Sequence, residues 1–248
     1  MGIRQESIDP NSLIKLLLAA EVDLLWNGGI GTYVKESGEK HEDAGDRNND
    51  AVRVDGNQLR ARVVGEGGNL GFTQRARIEF AQNGGRINTD AVDNSAGVDT
   101  SDHEVNLKIF MQYLKDKGKI ASQQERDRIL AEVTDEVCSQ VLANNYEQHL
   151  CLSLDLRRSQ GEIEPYVQLI DSLARSGLLD RRGEFLPSAK DIQARQGQKL
   201  TRPELAILMA YSKMQLYQGI LESELPRSPE AGDFLLRYFP GCLLYTSD

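Results

Sequence analysis

The sequence predicts an α/β protein in which a parallel sheet, with binding loops at its strand ends, is followed by an all-helical extension. Three observations carry this. Between Arg62 and Glu104, short apolar runs alternate with glycine-containing turns and helical patterns, in the order strand, turn, helix, turn, strand, turn, helix. That order suits a parallel sheet whose loops at the strand C-terminal ends hold a ligand. Beyond residue 118 glycine becomes rare and the chain reads as helices. Three capping-box patterns, Ser101 with Glu104, Ser122 with Glu125 and Thr201 with Glu204, mark helix starts.

The front of the chain opens with a helix to Ala20, capped by Asn11 or Ser12. Val22 to Trp26 is a short strand. The run Asn27-Gly28-Gly29-Ile30-Gly31 follows, either a plain tight turn or a loop facing a ligand. Residues 37–49 are polar and acidic without periodicity, a surface loop in which His41 is solvated. Residues 51–64 form either a small hairpin about Asp55-Gly56-Asn57 or a single core strand at Val63-Val64.

After Gly65-Glu66-Gly67-Gly68-Asn69, a helix runs from Thr73 to Gln82, capped by Thr73 or Asn69. Ala76 and Phe80 share one face, and Asn83-Gly84-Gly85 ends the helix. Arg75 and Arg77 read as solvated. Arg86 to Ala91 reads as a second strand, and a helix starts at Ser101.

In the extension, Ile129, Val133, Val137 and Val141 repeat every four residues along one long helix to Asn144, with Cys138 buried in it. Helices follow over 165–176, from Thr201, and over 229–238. The apolar face of the helix from Thr201 runs from Leu205 to Leu216. The expected domains are 1–118 and 119–240, with 241–248 uninterpretable.

Composition narrows the function. A formal net charge of −9 leaves no excess of Lys and Arg for a nucleic-acid partner. No apolar run reaches membrane-spanning length, and the first residues lack a signal-peptide pattern. Cys138, Cys151 and Cys242 have no metal-ligand spacing, and their odd number fits a reducing compartment, hence the cytoplasm.

The Gly65–Gly71 loop suits an anion or dinucleotide by composition but misses the G-x-G-x-x-G spacing, since Leu70 stands where the third glycine belongs. Asn69 and Asn94, at strand ends, can donate and accept, as ribose hydroxyls or a carboxamide require. Ser101 can cap its helix, hold a substrate carboxylate there, or do both. No catalytic residue stands out: His103 reads as structural or surface, and Asp90, Asp93, Asp99 and Asp102 lack identifiable partners. No metal site is expected.

Two segments carry a family resemblance. Val63-Val64-Gly65-Glu66-Gly67-Gly68-Asn69 resembles the V-x-E-G-A-N segment of the glutamate dehydrogenase superfamily. Residues 94–104 resemble its N-A-G-G-V-x-x-S-x-x-E segment, with Asp90 where that family has an aspartate. Residues 23–33, 62–106 and 200–213 are similar to the large bacterial NAD-specific subgroup.

The resemblance implies the C-terminal part of a Rossmann-like NAD-binding domain and oxidative deamination of L-glutamate to 2-oxoglutarate and ammonium. By position it implies that Asn69 contacts the dinucleotide ribose and that Asn94 orients the nicotinamide. Ser101 would bind the substrate side-chain carboxylate, and Gly67, Gly68 and Gly97 would let backbone approach the cofactor. The family's catalytic lysine and aspartate and its first glycine-rich turn belong upstream of Val22, and residues 1–21 hold no such motifs. The expectation is therefore a C-terminal piece of a homo-oligomeric enzyme, inactive alone. A non-catalytic nucleotide-binding module and a dehydrogenase for another amino acid are the rivals, the latter disfavoured by the Ser101 hydroxyl.

Overall fold

The computed structural model describes residues 7–197 and 199–244, without the side chains of Cys242 and Leu244. The fold is mixed α/β, mostly helical with small parallel sheets. Its residues group into two compact units, each drawn from two stretches of chain. One comprises the chain up to Asn94 and Gln148–Lys213; the other comprises Ser95–Glu147 and the chain from Met214. Residue 118, the expected domain boundary, falls inside the second unit.

The first unit begins with helix α1, Pro10–Leu18. Its cap is Asp9 and not Asn11 or Ser12: Ser12 N–H donates to Asp9 Oδ1 at 2.9 Å, with proline in the first turn. Strands β1 (Leu24–Asn27), β2 (Val34–Lys35), β3 (Val54–Asp55) and β4 (Val63–Glu66) then pair in parallel, β1 with β4 and β2 with β3. The hairpin alternative at residues 55–57 is not adopted. Gly56–Gln58 is a 3-10 turn, and Val54 joins the core opposite Val34.

The acidic loop is ordered in the structure around a buried cation. Arg53, 3% exposed, donates to the carbonyls of Thr32 and Asp46 and pairs with Asp50 at 2.5 Å. His41 Nδ1 lies 3.1 Å from the same guanidinium, so His41 is only partly solvated.

Helix α2 (Gln74–Gln82) follows β4. Thr73 Oγ1 accepts from Ala76 N–H at 3.1 Å, and Gly84 at φ +94 ends the helix. Ala76 and Phe80 are buried together, as their spacing requires. The expected strand at 86–91 shrinks to one bridge between Arg86 and Val63. Asp90 turns the chain instead into α3 (Asp90–Asp93), its carboxylate accepting from Ala91 N–H.

In the second unit α4 runs over Ser95–Asp116, so Ser101 lies inside a helix and does not start one. The helix α5 (Gln123–Glu132) starts on Ser122, whose Oγ accepts from Glu125 N–H at 3.1 Å. The single long helix expected here breaks at Val133 into α5 and α6, Thr134–Gly161. Leu107, Met111, Val133, Val137 and Val141 share this unit's core, whereas Cys138 is exposed, contrary to the sequence reading.

The back of α6 returns to the first unit, which α7 (Glu164–Arg175), α8 (Ala189–Ala194) and the front of α9 (Arg202–Glu222) complete around Leu152, Ile170, Leu173 and Leu205. Glu204 supplies its half of the box: Thr201 N–H and Oγ1 each donate to Glu204 Oε2 at 2.8 Å, and Arg195 pairs with the same buried carboxylate. Leu216, expected on the buried face, is exposed. The second unit ends with α10 (Pro229–Tyr238) and α11 (Gly241–Leu244), of which only the first was expected; residues 245–248 of the tail lie outside the described residues.

Candidate functional site

The site forms where β1 and β4 end side by side, Asn27 opposite Glu66. Parallel pairing delivers two glycine-rich loops to one sheet edge, which antiparallel pairing of the same strands would separate. Gly68 N–H donates to Asn27 O at 2.9 Å, and Thr32 Oγ1 to Leu70 O at 2.8 Å, so the loops are tied to each other.

The glycines have distinct reasons. A Cβ on Gly68 would sit 2.2 Å from Gly29 O, and one on Gly71 would sit 1.8 Å from Asn27 Nδ2. A Cβ on Gly67 would meet the Trp26 ring at 2.4 Å. Backbone therefore demands glycine at Gly68, whereas a side chain at Gly67 or Gly71 would have to displace Trp26 or Asn27. Leu70, at φ +58, holds the left-handed backbone where the G-x-G-x-x-G pattern would place its third glycine.

Asn69 is exposed, and the structure brings Asn94 to it: Asn94 Nδ2 donates to Asn69 Oδ1 at 2.5 Å and to Gly68 O at 3.4 Å. Asn27 Nδ2 is buried without a hydrogen-bond partner. Around this polar centre Trp26, Ile30 and Leu70 present exposed apolar side chains.

Beneath the loops lies a buried ionic layer. Glu66 is fully buried and takes a bidentate contact from Arg77, Nε to Oε2 at 2.7 Å and Nη2 to Oε1 at 2.9 Å. Arg77 also pairs with Asp90 at 3.1 Å. It is buried, correcting the expectation that it is solvated; Arg75 is the half-exposed one. Burial pushes the Glu66 carboxyl above the usual carboxylate range, the Arg77 guanidinium opposes this, and Asp90 and Asp93 add to it.

The two aspartates hold the loop by its backbone: Leu70 N–H donates to Asp90 Oδ2 at 2.8 Å and Glu66 N–H to Asp93 Oδ2 at 2.9 Å. Asp93 is further held by Asn88 at 2.7 Å and by His149 Nε2 at 3.2 Å. These roles for Glu66, Arg77, Asp90 and Asp93 escaped the sequence reading, since each partner lies on a different element. The available signal was a glutamate between glycines at a strand end.

Gly97 and Ser101 stand in the second unit, on the first two turns of α4. Ser101 is exposed, and its Oγ donates to Gly97 O at 3.3 Å. The capping box with Glu104 does not form, because α4 has already begun at Ser95 and Ser101 lies within it. Gly97 has open space where a Cβ would be. His103 is 3% exposed, stacked on Tyr238 at 4.6 Å, with Asp99 at 3.7 Å, which is a structural environment. Among the described residues, no group of three or more His, Cys, Asp or Glu is placed to hold a metal ion.

Two family models match the chain: "Bacterial NAD-glutamate dehydrogenase, catalytic domain" over residues 1–155, and "Glutamate dehydrogenase, C-terminal" over residues 197–245. Similar curated proteins, each named NAD-specific glutamate dehydrogenase, come from three bacteria. The Halomonas elongata protein is 46% identical over 98% of this chain, that of Pseudomonas aeruginosa 51% over 90%, and that of Mycobacterium tuberculosis 48% over 94%. The chain spans 15%, 14% and 14% of their respective lengths.

Proposed function

This chain belongs to the bacterial NAD-glutamate dehydrogenase family, and we propose that it supplies cofactor- and substrate-binding residues to such an enzyme. The whole protein would deaminate L-glutamate oxidatively to 2-oxoglutarate and ammonium, with NAD as hydride acceptor. The observation that carries the reading is the Asn69–Asn94 carboxamide pair, lying at the C-terminal end of β4. The unpartnered Asn27 donor, on the loop to which Gly68 is tied, fits a ligand rich in acceptors. In this reading the parallel β1–β4 pair followed by α2 is the C-terminal part of a Rossmann-like domain.

Asn69 would hold a ribose hydroxyl, and Asn94 would orient the nicotinamide. Gly67 and Gly68 would keep the loop low enough for the pyrophosphate, and the Ser101 hydroxyl would donate to the substrate side-chain carboxylate. NAD, when bound, takes up the hydride. The Glu66–Arg77 pair keeps the loop backbone rigid beneath the cofactor. We assign no proton-transfer residue to this chain, and the isolated chain would not turn over glutamate. Cytoplasmic location, homo-oligomeric assembly of the full-length enzyme and absence of a nucleic-acid partner complete the reading, the last supported by the net charge of −9.

The single tryptophan, Trp26, packs against Gly65 and Gly67 and reports directly on the loop. Titrating NAD into the 248-residue chain is expected to change Trp26 emission saturably, and Asn69→Ala to raise the Kd at least tenfold. Unchanged emission at millimolar NAD, or equal affinity for the variant, would overturn the assignment.

A further inference from the structure

A cavity of about 380 Å³ lies within the first unit at the opposite end of β4 from the glycine-rich loops. Arg86, which bridges the first residue of β4, lines it together with Arg195, Lys199 and Arg202. No Asp or Glu is among its lining residues. In a chain of net charge −9 that local excess of cations is unusual.

The four cations differ in how they are compensated. Arg195 is neutralised by Glu204, through contacts of 2.9 and 2.7 Å. Arg202 is half-buried and makes only neutral contacts, with Asn88 Oδ1 at 2.7 Å, Ser153 Oγ at 3.0 Å and the His149 carbonyl at 3.5 Å. Burial lowers its pKa, Asp93 opposes this, and Arg86 adds to it. Arg86 and Lys199 are exposed and make no side-chain ion pair among the described residues. Three positive charges thus face one cavity without an ion pair among the described residues. Its remaining wall includes the partly exposed apolar side chain of Leu156.

Charges gathered in this way repel one another, and an anion relieves the repulsion. Arginine forks match phosphate oxygens in pairs, and a lysine adds a compact point charge. The volume falls in the range of small-molecule sites. We propose that this cavity binds a small molecule carrying a diphosphate, with its uncharged portion against Leu156, at a site separate from the proposed dinucleotide loop.

The test is calorimetric titration of the 248-residue chain with pyrophosphate, repeated with Arg86→Ala/Lys199→Ala. Both side chains are exposed, so the variant keeps the fold, which circular dichroism checks. Pyrophosphate is expected to bind the chain, and the double variant to raise the Kd by at least tenfold. The Arg86→Ala/Lys199→Ala variant is expected to keep the NAD-dependent change in Trp26 emission, which separates this site from the dinucleotide reading. Absence of binding, equal affinity in the double variant, or equal affinity for citrate in place of pyrophosphate overturns the proposal.

Discussion

Arg77 shows how far a single residue departs from its apparent class. Its place near the start of α2 suggests a solvated cation, yet its side chain is 6% exposed and doubly bonded to a carboxylate that is 0% exposed. Such a pair adds little over an apolar one, but removing one partner strands the other charge in a low-dielectric interior. Arg77→Leu is therefore expected to destabilise the first unit by about 3–5 kcal/mol, read as a lower urea midpoint. A loss below 1 kcal/mol would mean that water reaches Glu66. Arg53 repeats the lesson, since the acidic loop around it looks structureless in sequence and is ordered by one guanidinium.

At the scale of elements, helix starts were legible where the capping residue had no competitor. Thr73 and Ser122 accept from the backbone N–H three residues on. Ser101 has the same pattern and fails, because Thr100 and Ser101 donate back to Ala96 and Gly97 carbonyls within a helix already begun at Ser95.

Glycines separate by the same logic. Gly68→Ala drives a methyl into the Gly29 carbonyl and is expected to cost about 1–3 kcal/mol. Gly97→Ala fills open space on a helix and is expected to raise stability by up to about 1 kcal/mol. Chemical denaturation of both variants decides; destabilisation by Gly97→Ala would show that the methyl meets a contact absent from this structure.

For the whole molecule, alkaline pH is the revealing variable. Tyr211 donates to Glu184 at 2.6 Å, and that bond, with burial, pushes its phenol up to about 12; burial, with the Asp155 contact at 3.0 Å, pushes Tyr166 up to about 12. A phenol normally ionises near 10. The fold favours the neutral phenols, so their contribution is complete below pH 10 and is lost as pH rises through 12. Urea midpoints are expected to fall across that window, and less steeply in Tyr166→Phe/Tyr211→Phe. An unchanged slope in the double variant would assign the loss to other groups.

The sequence by itself determined the mixed α/β class, the strand–loop–helix order around Gly65–Gly71, most helix segments and the family. These depend on local rules: apolar periodicity, capping hydroxyls and glycine stops act within a few residues. Tertiary structure alone decided that Asn69 meets Asn94, that Glu66 is neutralised by Arg77, and that residues 148–213 pack with the first 94 rather than with their neighbours in sequence. It also gathered Arg86, Arg195, Lys199 and Arg202 around one cavity. The physical reason is the same throughout. Electrostatic pairing and burial depend on distance in space, and side chains far apart along the chain acquire a common environment only when the core closes between them.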